Sequence, residues 1–169
     1  RKFNDYMIYK TNLNKDFYET FVLNPAGIIA ASSNENNIGK IEFGVDYFTY
    51  GKEGPYVKDV YMDENTGEYS LAFAAPILKK RSGKFLGVLV IRFNANKLNE
   101  ITTGKRSGIK EDTGTFLRRG KTSEAYIVNK NFQLITGSRF KEEAILSQLV
   151  NTEPVAAALH SGKEVVGVY

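Results

Sequence analysis

The sequence predicts an α+β fold built around an antiparallel sheet, and three observations carry that prediction. Ten Tyr and eleven Phe, many beside β-branched residues, favour strands. Three strand-like runs, 56–62, 68–78 and 85–93, are joined by short connections, which makes neighbours antiparallel. The chain also repeats itself: residues 21–33 read FVLNPAGIIAASS, and 105 residues later 126–138 read YIVNKNFQLITGS. Asn24 matches Asn129 and Ser33 matches Ser138, while Gly51-Lys52-Glu53 recurs as Gly162-Lys163-Glu164 at an offset of 111. One supersecondary unit is used twice in tandem. The second copy stops at Tyr169, equivalent to about residue 58 of the first, so the expectation is one whole module plus the front of another.

Composition narrows the class. At 169 residues, 42% apolar and 25% charged, the chain can bury the core of one or two small domains. The lack of Cys excludes disulfides and zinc–thiolate sites. No run approaches 18 apolar residues, so nothing in the sequence reads as a membrane span. The chain opens on polar, helix-compatible residues without an initiator Met, and is read as an excised piece whose flanking transmembrane helices lie outside it. The net charge of +4 gathers at Lys79–Arg81 and Arg118–Lys121. Both are read as solvated turns in preference to a nucleic-acid surface.

The elements follow in order. Residues 1–16 form the end of a helix with Phe3, Tyr6, Met7 and Leu13 on one side. A strand over 17–23 turns at Asn24-Pro25-Ala26-Gly27, where Pro presets φ and Gly relieves the exit, into a partner strand over 28–33. Residues 34–55 are punctuated by Gly and Asn and cross one face of the sheet, with one short helix near 45–50. In the middle strand of the next three, Tyr69, Leu71 and Phe73 point one way and Ser70, Ala72 and Ala74 the other. That small-residue face leaves space either for a closely packed helix or for a ligand. Residues 94–102 are helix-compatible and 104–120 read as linker. The second copy gives a hairpin over 125–137, a helix near 141–150, a Pro-started helix to about Ser161 and a strand over 164–169 whose sequence-adjacent partners are missing.

Chemistry-bearing motifs are absent. Residues 115–122 end like a P-loop but have Thr where the first Gly must stand, and no strand precedes them. Residues 63–67 imitate the start of a calcium loop, but the Gly comes one place early and Ala74 takes the place of the bidentate Glu. His160 is the only His, next to a helix end, and no partner identifies it as catalytic. No metal set, nucleophile elbow or cofactor motif occurs, so the sequence offers no catalytic apparatus and implies no cofactor.

The order of parts, and the stretches FVLNPAGIIAASS, IGKIEFGVDYF, GPYVKDVYMDENTG, AAPI and GVLVIRFNANKL, resemble the double Cache sensor modules of prokaryotic transmembrane receptors. SEAYIVNKNFQLITGSRF, VNTEPVAAAL and GKEVVGVY resemble the membrane-proximal module of the same family. The resemblance implies a PAS-like five-stranded antiparallel sheet flanked by helices in residues 1–103, a linker over 104–120 and a partial second module in 121–169. It also implies an extracytoplasmic location in a membrane-anchored parent, usually a histidine kinase. The amino-acid-binding branch of the family uses an Arg-x-x-Trp-Tyr element and an Asp in the last strand. This chain has no Trp, and Arg92 stands in place of that Asp.

The expectation is therefore a small-molecule sensor whose ligand sits between the sheet and segment 45–61. Tyr47 and Phe48 are the candidate walls, Tyr56, Asp59 and Ser70 line the site, and Arg92 is the charge partner of an anionic ligand such as a carboxylate. A homodimer through the N-terminal helix is the expected assembly. The alternative is a ligand-free dimerisation or protein-interaction module of a chemotaxis-type receptor.

Overall fold

A computed structural model describes residues 2–64, 66–103, 123–138, 140, 141 and 143–165. The chain divides into two compact units, 1–94 and 95–169. The division falls ahead of the expected edge at residue 103. The helix after the sheet is tied to the second unit, where the Asn99 side chain accepts the backbone N–H of Gly137. The expected linker over 104–120 lies outside the described residues. Among the described residues no helix is long and apolar enough to cross a membrane.

The first unit contains α1 (Lys2–Asn12), β1 (Phe17–Leu23), β2 (Ile29–Ser32), a 3-10 turn (Glu35–Asn37), α2 (Asp46–Thr49), β3 (Tyr56–Asp63), β4 (Glu68–Leu78) and β5 (Phe85–Asn94). The strands form one antiparallel five-stranded sheet in the order β2-β1-β5-β4-β3. The α+β, PAS-like architecture expected from the sequence is what the chain adopts. The β1–β2 turn is built by Asn24, whose Oδ1 accepts the N–H groups of Ala26 at 2.9 Å and Ile28 at 3.1 Å. Gly27 closes it at φ 72°, and a Cβ there would lie 2.7 Å from the Phe43 Cα, so the crossing segment rests directly on this turn.

Alternation sorts the sheet into two faces. Phe21, Leu23, Ala72, Ala74, Val88 and Val90 are buried on the inner face, covered by Tyr47 and Phe48 of α2. The small residues of β4 are what allow this approach: a Cβ on Gly51 would stand 2.9 Å from the Ala74 Cβ and 3.0 Å from the Val88 Cγ1. Close packing thus accounts for Ala74. On the other side of β1, Thr20 alternates with Phe21, and its hydroxyl meets that of Thr11 at 2.8 Å, which places α1 across the outer face. Met7 and Thr11 are the buried residues of α1, so Met7 parts company with the exposed Phe3, Tyr6 and Leu13 that the sequence grouped with it.

Two β-bulges decide which side chains reach the inner face. The β1–β5 register shifts between Phe17 and Glu19, and the β3–β4 register shifts between Lys58 and Tyr61. An extra residue reverses alternation locally. Tyr18 therefore joins Glu19, and Lys58 joins Tyr61, on the same side of the sheet.

The second unit contains α3 (Asn96–Thr103) and α4 (Glu153–Ser161), with Pro154 in the first turn of α4 as expected. Its hairpin reproduces the first one closely. Asn129 Oδ1 accepts the N–H groups of Asn131 at 2.9 Å and Gln133 at 3.0 Å, the bonds that Asn24 makes in the first copy. Phe132 takes the place of Gly27 and adopts the same left-handed conformation, φ 62° against 72°. The helix expected near 141–150 is not formed among the described residues. Glu143 and Leu146 have φ of 51° and 60°, which no helix accommodates, and the segment instead bonds to the hairpin edge. The Leu134 N–H donates to Gln148, the Val150 N–H donates to Phe132, and Gln133 bridges Leu149. An open edge is thus covered by the chain's own next segment. Glu164 and Val165 are not in a strand, and 166–169 lie outside the described residues.

Candidate functional site

The site is built on a buried charge. Arg92 sits near the end of β5 on the inner face, with its side chain 5% exposed. A guanidinium there must be paired. Its Nη1 lies 2.8 Å from Glu19 Oε2 and 3.7 Å from Asp63 Oδ2; its Nη2 donates to the Tyr47 hydroxyl at 2.9 Å and reaches Glu42 at 3.5 Å. The aromatic faces of Phe21 and Tyr47 lie 4.9 and 5.8 Å from its Cζ. Burial works against the charge, but Tyr47, Tyr61 and Glu19 more than offset it and hold the guanidinium above its ordinary pKa.

Glu19 is as enclosed as Arg92 and is fully partnered. Oε1 accepts the Ser32 hydroxyl at 2.8 Å and the Asn37 amide at 2.7 Å, while Oε2 takes Arg92. Lys40 donates to Asn37 in turn at 2.6 Å, and Tyr47 donates to Glu42 at 2.8 Å. One continuous network therefore ties β1, β2, β5, the 3-10 turn, the crossing segment and α2 together. On its far side the Tyr18 hydroxyl, delivered by the β1 bulge, donates to Asp63 Oδ2 at 2.7 Å and lies 2.9 Å from the Ser70 Oγ. Burial pushes the Tyr18, Tyr47 and Tyr61 phenols up, so all three are neutral hydrogen-bonding groups near neutral pH.

Above this floor lies a cavity of about 270 Å³, open on one side and walled by Glu42, Tyr47, Lys58, Tyr61, Asp63 and Arg92. Its size suits a small ligand. At its edge the Tyr61 hydroxyl interacts with Tyr18 and Arg92, while the Arg92 Nε has no hydrogen-bond partner among the described residues. Lys58 holds its ammonium 4.3 Å from the Tyr61 ring centroid and 5.4 Å from that of Tyr47.

Of the residues expected from the sequence, the structure brings Tyr47, Ser70 and Arg92 together. Phe48 is buried against Phe43, 5.7 Å between ring centroids, and supports the cover without lining the cavity. Tyr56 stacks near Tyr50 at 5.0 Å, and Asp59 bonds the Val60 N–H at 2.7 Å within the β3 bulge. Neither lines the cavity. Arg92 lines the cavity as expected, with its guanidinium engaged by Glu19, Glu42 and Asp63. Sequence reasoning missed Glu19, Glu42, Lys58, Tyr61 and Asp63. Glu19 had a signal, because period-two alternation puts it beside Phe21 and Leu23, and a carboxylate on a core face demands a cation elsewhere.

No family model matches the sequence, and no curated protein matches it. Solved structures do. An extracellular ligand binding receptor from Desulfohalobium retbaense DSM5692 superposes with a TM-score of 0.72 at 15% identity, over 100% of this chain and 29% of that one. The extracellular domain of mmHK1S-Z2, assigned as a histidine kinase, gives 0.66 at 12% identity, over 94% and 65%. The ligand-binding domain of the Campylobacter jejuni chemoreceptor Tlp3, in complex with 4-methylisoleucine, gives 0.61 at 12% identity, over 92% and 56%. The chain spans 29% to 65% of the length of these structures. Its fold is the Cache-like α+β fold of the extracellular sensor domains of histidine kinases and chemoreceptors.

Proposed function

We propose that the chain is the extracytoplasmic ligand-sensing part of a transmembrane signalling receptor, a sensor histidine kinase, and that the cavity above Arg92 is its binding site. The observation that supports this most is the construction of that cavity. Its floor belongs to the sheet and its cover, residues 42–47, to the crossing segment, and a single hydrogen-bonded network joins the two. A ligand held between two such parts binds one arrangement of them better than another and shifts their populations. A thermal-shift screen of small carboxylates, amines and sugars tests the reading. At least one compound is expected to raise Tm by several degrees, with the response reduced about tenfold in affinity in Tyr47→Phe, which loses the hydroxyl shared by Arg92 and Glu42. A panel without any stabilising compound, together with unperturbed amide resonances around the cavity, would reject the site.

The alternative, a ligand-free association module, is favoured by one feature of α1. Phe3, Tyr6 and Tyr9 of α1, and Leu13 just beyond its end, are each more than half exposed. As part of the proposed receptor, this stripe pairs with the same helix of a second subunit. Phe3→Glu combined with Tyr6→Glu is expected to weaken self-association at least tenfold in sedimentation equilibrium. An unchanged constant would remove α1 as the interface.

A further inference from the structure

We propose that the cavity above Arg92 accepts an organic ammonium cation, and that Lys58 occupies the cation's place when no ligand is bound. The inference rests on the reading of this cavity as the binding site and names the class of ligand that reading leaves open. It starts from the charges. Glu42, Asp63 and Glu64 stand on the cavity wall and Glu19 lies beneath it, against Arg92 and Lys58. Carboxylates outnumber cations by four to two. Arg92 is already engaged by Glu19, Glu42 and Asp63, so its positive field is largely cancelled before a ligand arrives. An incoming carboxylate would meet like charge from Glu42, Asp63 and Glu64. An incoming cation completes the balance.

Lys58 shows where that cation fits. The β3 bulge turns it onto the inner face beside Tyr61. There its ammonium sits over the Tyr61 and Tyr47 rings, and it forms no ion pair among the described residues. Tyrosine faces backed by carboxylates form a site that attracts quaternary and primary ammonium groups. The Tyr61 hydroxyl, on the same cavity wall, adds an oxygen able to accept an N–H. Lys58 is on a flexible four-carbon stem and needs only a rotamer change to swing out into solvent. A ligand ammonium then takes its seat. The ligand competes with a tethered residue, so removing the residue should raise affinity instead of lowering it.

That sign is the test. Butylammonium, tetramethylammonium, butyrate and a neutral sugar are titrated into the ¹⁵N-labelled chain, and amide shifts around Tyr47, Tyr61 and Asp63 are followed. The ammonium probes are expected to perturb these residues and the butyrate is not. Lys58→Met should tighten ammonium binding about tenfold, and Lys58→Arg, whose guanidinium stacks on the rings more firmly, should weaken it. Circular dichroism confirms that both variants keep the fold. Ammonium binding that is unchanged or weaker in Lys58→Met overturns the proposal, as does ammonium binding away from these residues. Butyrate or sugar binding at these residues without ammonium binding overturns the ligand class while leaving the cavity as the sensing site. Silence from every probe at these residues overturns the ammonium proposal and counts against the site itself.

Discussion

Replacing Arg92 by leucine is expected to cost the first unit about 3–5 kcal/mol, because it leaves a buried carboxylate without its cation. Glu19 is 2% exposed and would keep only the Ser32 and Asn37 donors, which are neutral. For a unit of this size the loss corresponds to a fall in Tm of roughly 15–30 °C. The double variant Arg92→Leu with Glu19→Leu removes the closest pair of charges but leaves the buried Asp63 without Arg92, and is expected to recover part of the loss, because apolar residues replace a buried ion pair at little net cost. Urea unfolding followed by far-ultraviolet circular dichroism measures both. A single variant within about 1 kcal/mol of the parent, or a double variant no better than the single, would show that the pair does not organise the sheet.

A second large effect is expected at Phe21. Its ring is fully buried, meets the Tyr47 ring edge-on with centroids 5.9 Å apart, and underlies the guanidinium at 4.9 Å. Phe21→Ala opens a cavity in the middle of the inner face and should cost about 3–5 kcal/mol. Phe21→Leu keeps most of the volume and should cost about 1–2 kcal/mol, the loss of the ring's contact with Arg92 included. Unfolding curves of the two variants separate packing from the aromatic contact. Equal losses would mean that the ring's volume is not what the core uses.

Much of the architecture was legible because it rests on local signals. Alternation and turn residues marked β1 and β4 at their true ends, and Pro154 marked the start of α4. Asn24 and Asn129 announced a duplicated turn whose hydrogen bonds are the same in both copies. The site was less legible, since its geometry depends on pairing between distant strands. Arg92 was recognised as important, but its protein partners were not. The nearest of them, Glu19, lies 73 residues earlier and becomes its neighbour only through the β1–β5 register. Lys58, Tyr61 and Tyr18 were hidden by the bulges, since strict alternation sends one residue of each close pair to the wrong face. The missing helix at 141–150 failed for a related reason: its backbone groups satisfied an exposed edge that helical periodicity does not register.

The pairing of β1 with β5 also has a mechanical consequence. The chain comes from α1 into β1 at Phe17 and leaves β5 at Asn94, and these points are side by side: Phe17 pairs with Phe93, and the Asn94 N–H donates to Asp16 at 3.0 Å. Inlet and outlet of the unit are therefore the two strands that carry Glu19 and Arg92. Every other strand contact within the unit joins neighbours in sequence, so this seam is the one long-range closure on which the sheet depends. Because both points lie at the same end of an antiparallel pair, drawing them apart peels the seam one hydrogen bond at a time, whereas moving one past the other along the strand axis slides the two strands. The ion pair bridges that seam like a rivet. Sliding of one strand against the other is felt at the cavity floor without a relay, and a change at the floor appears at the two ends of the chain as a difference in their heights.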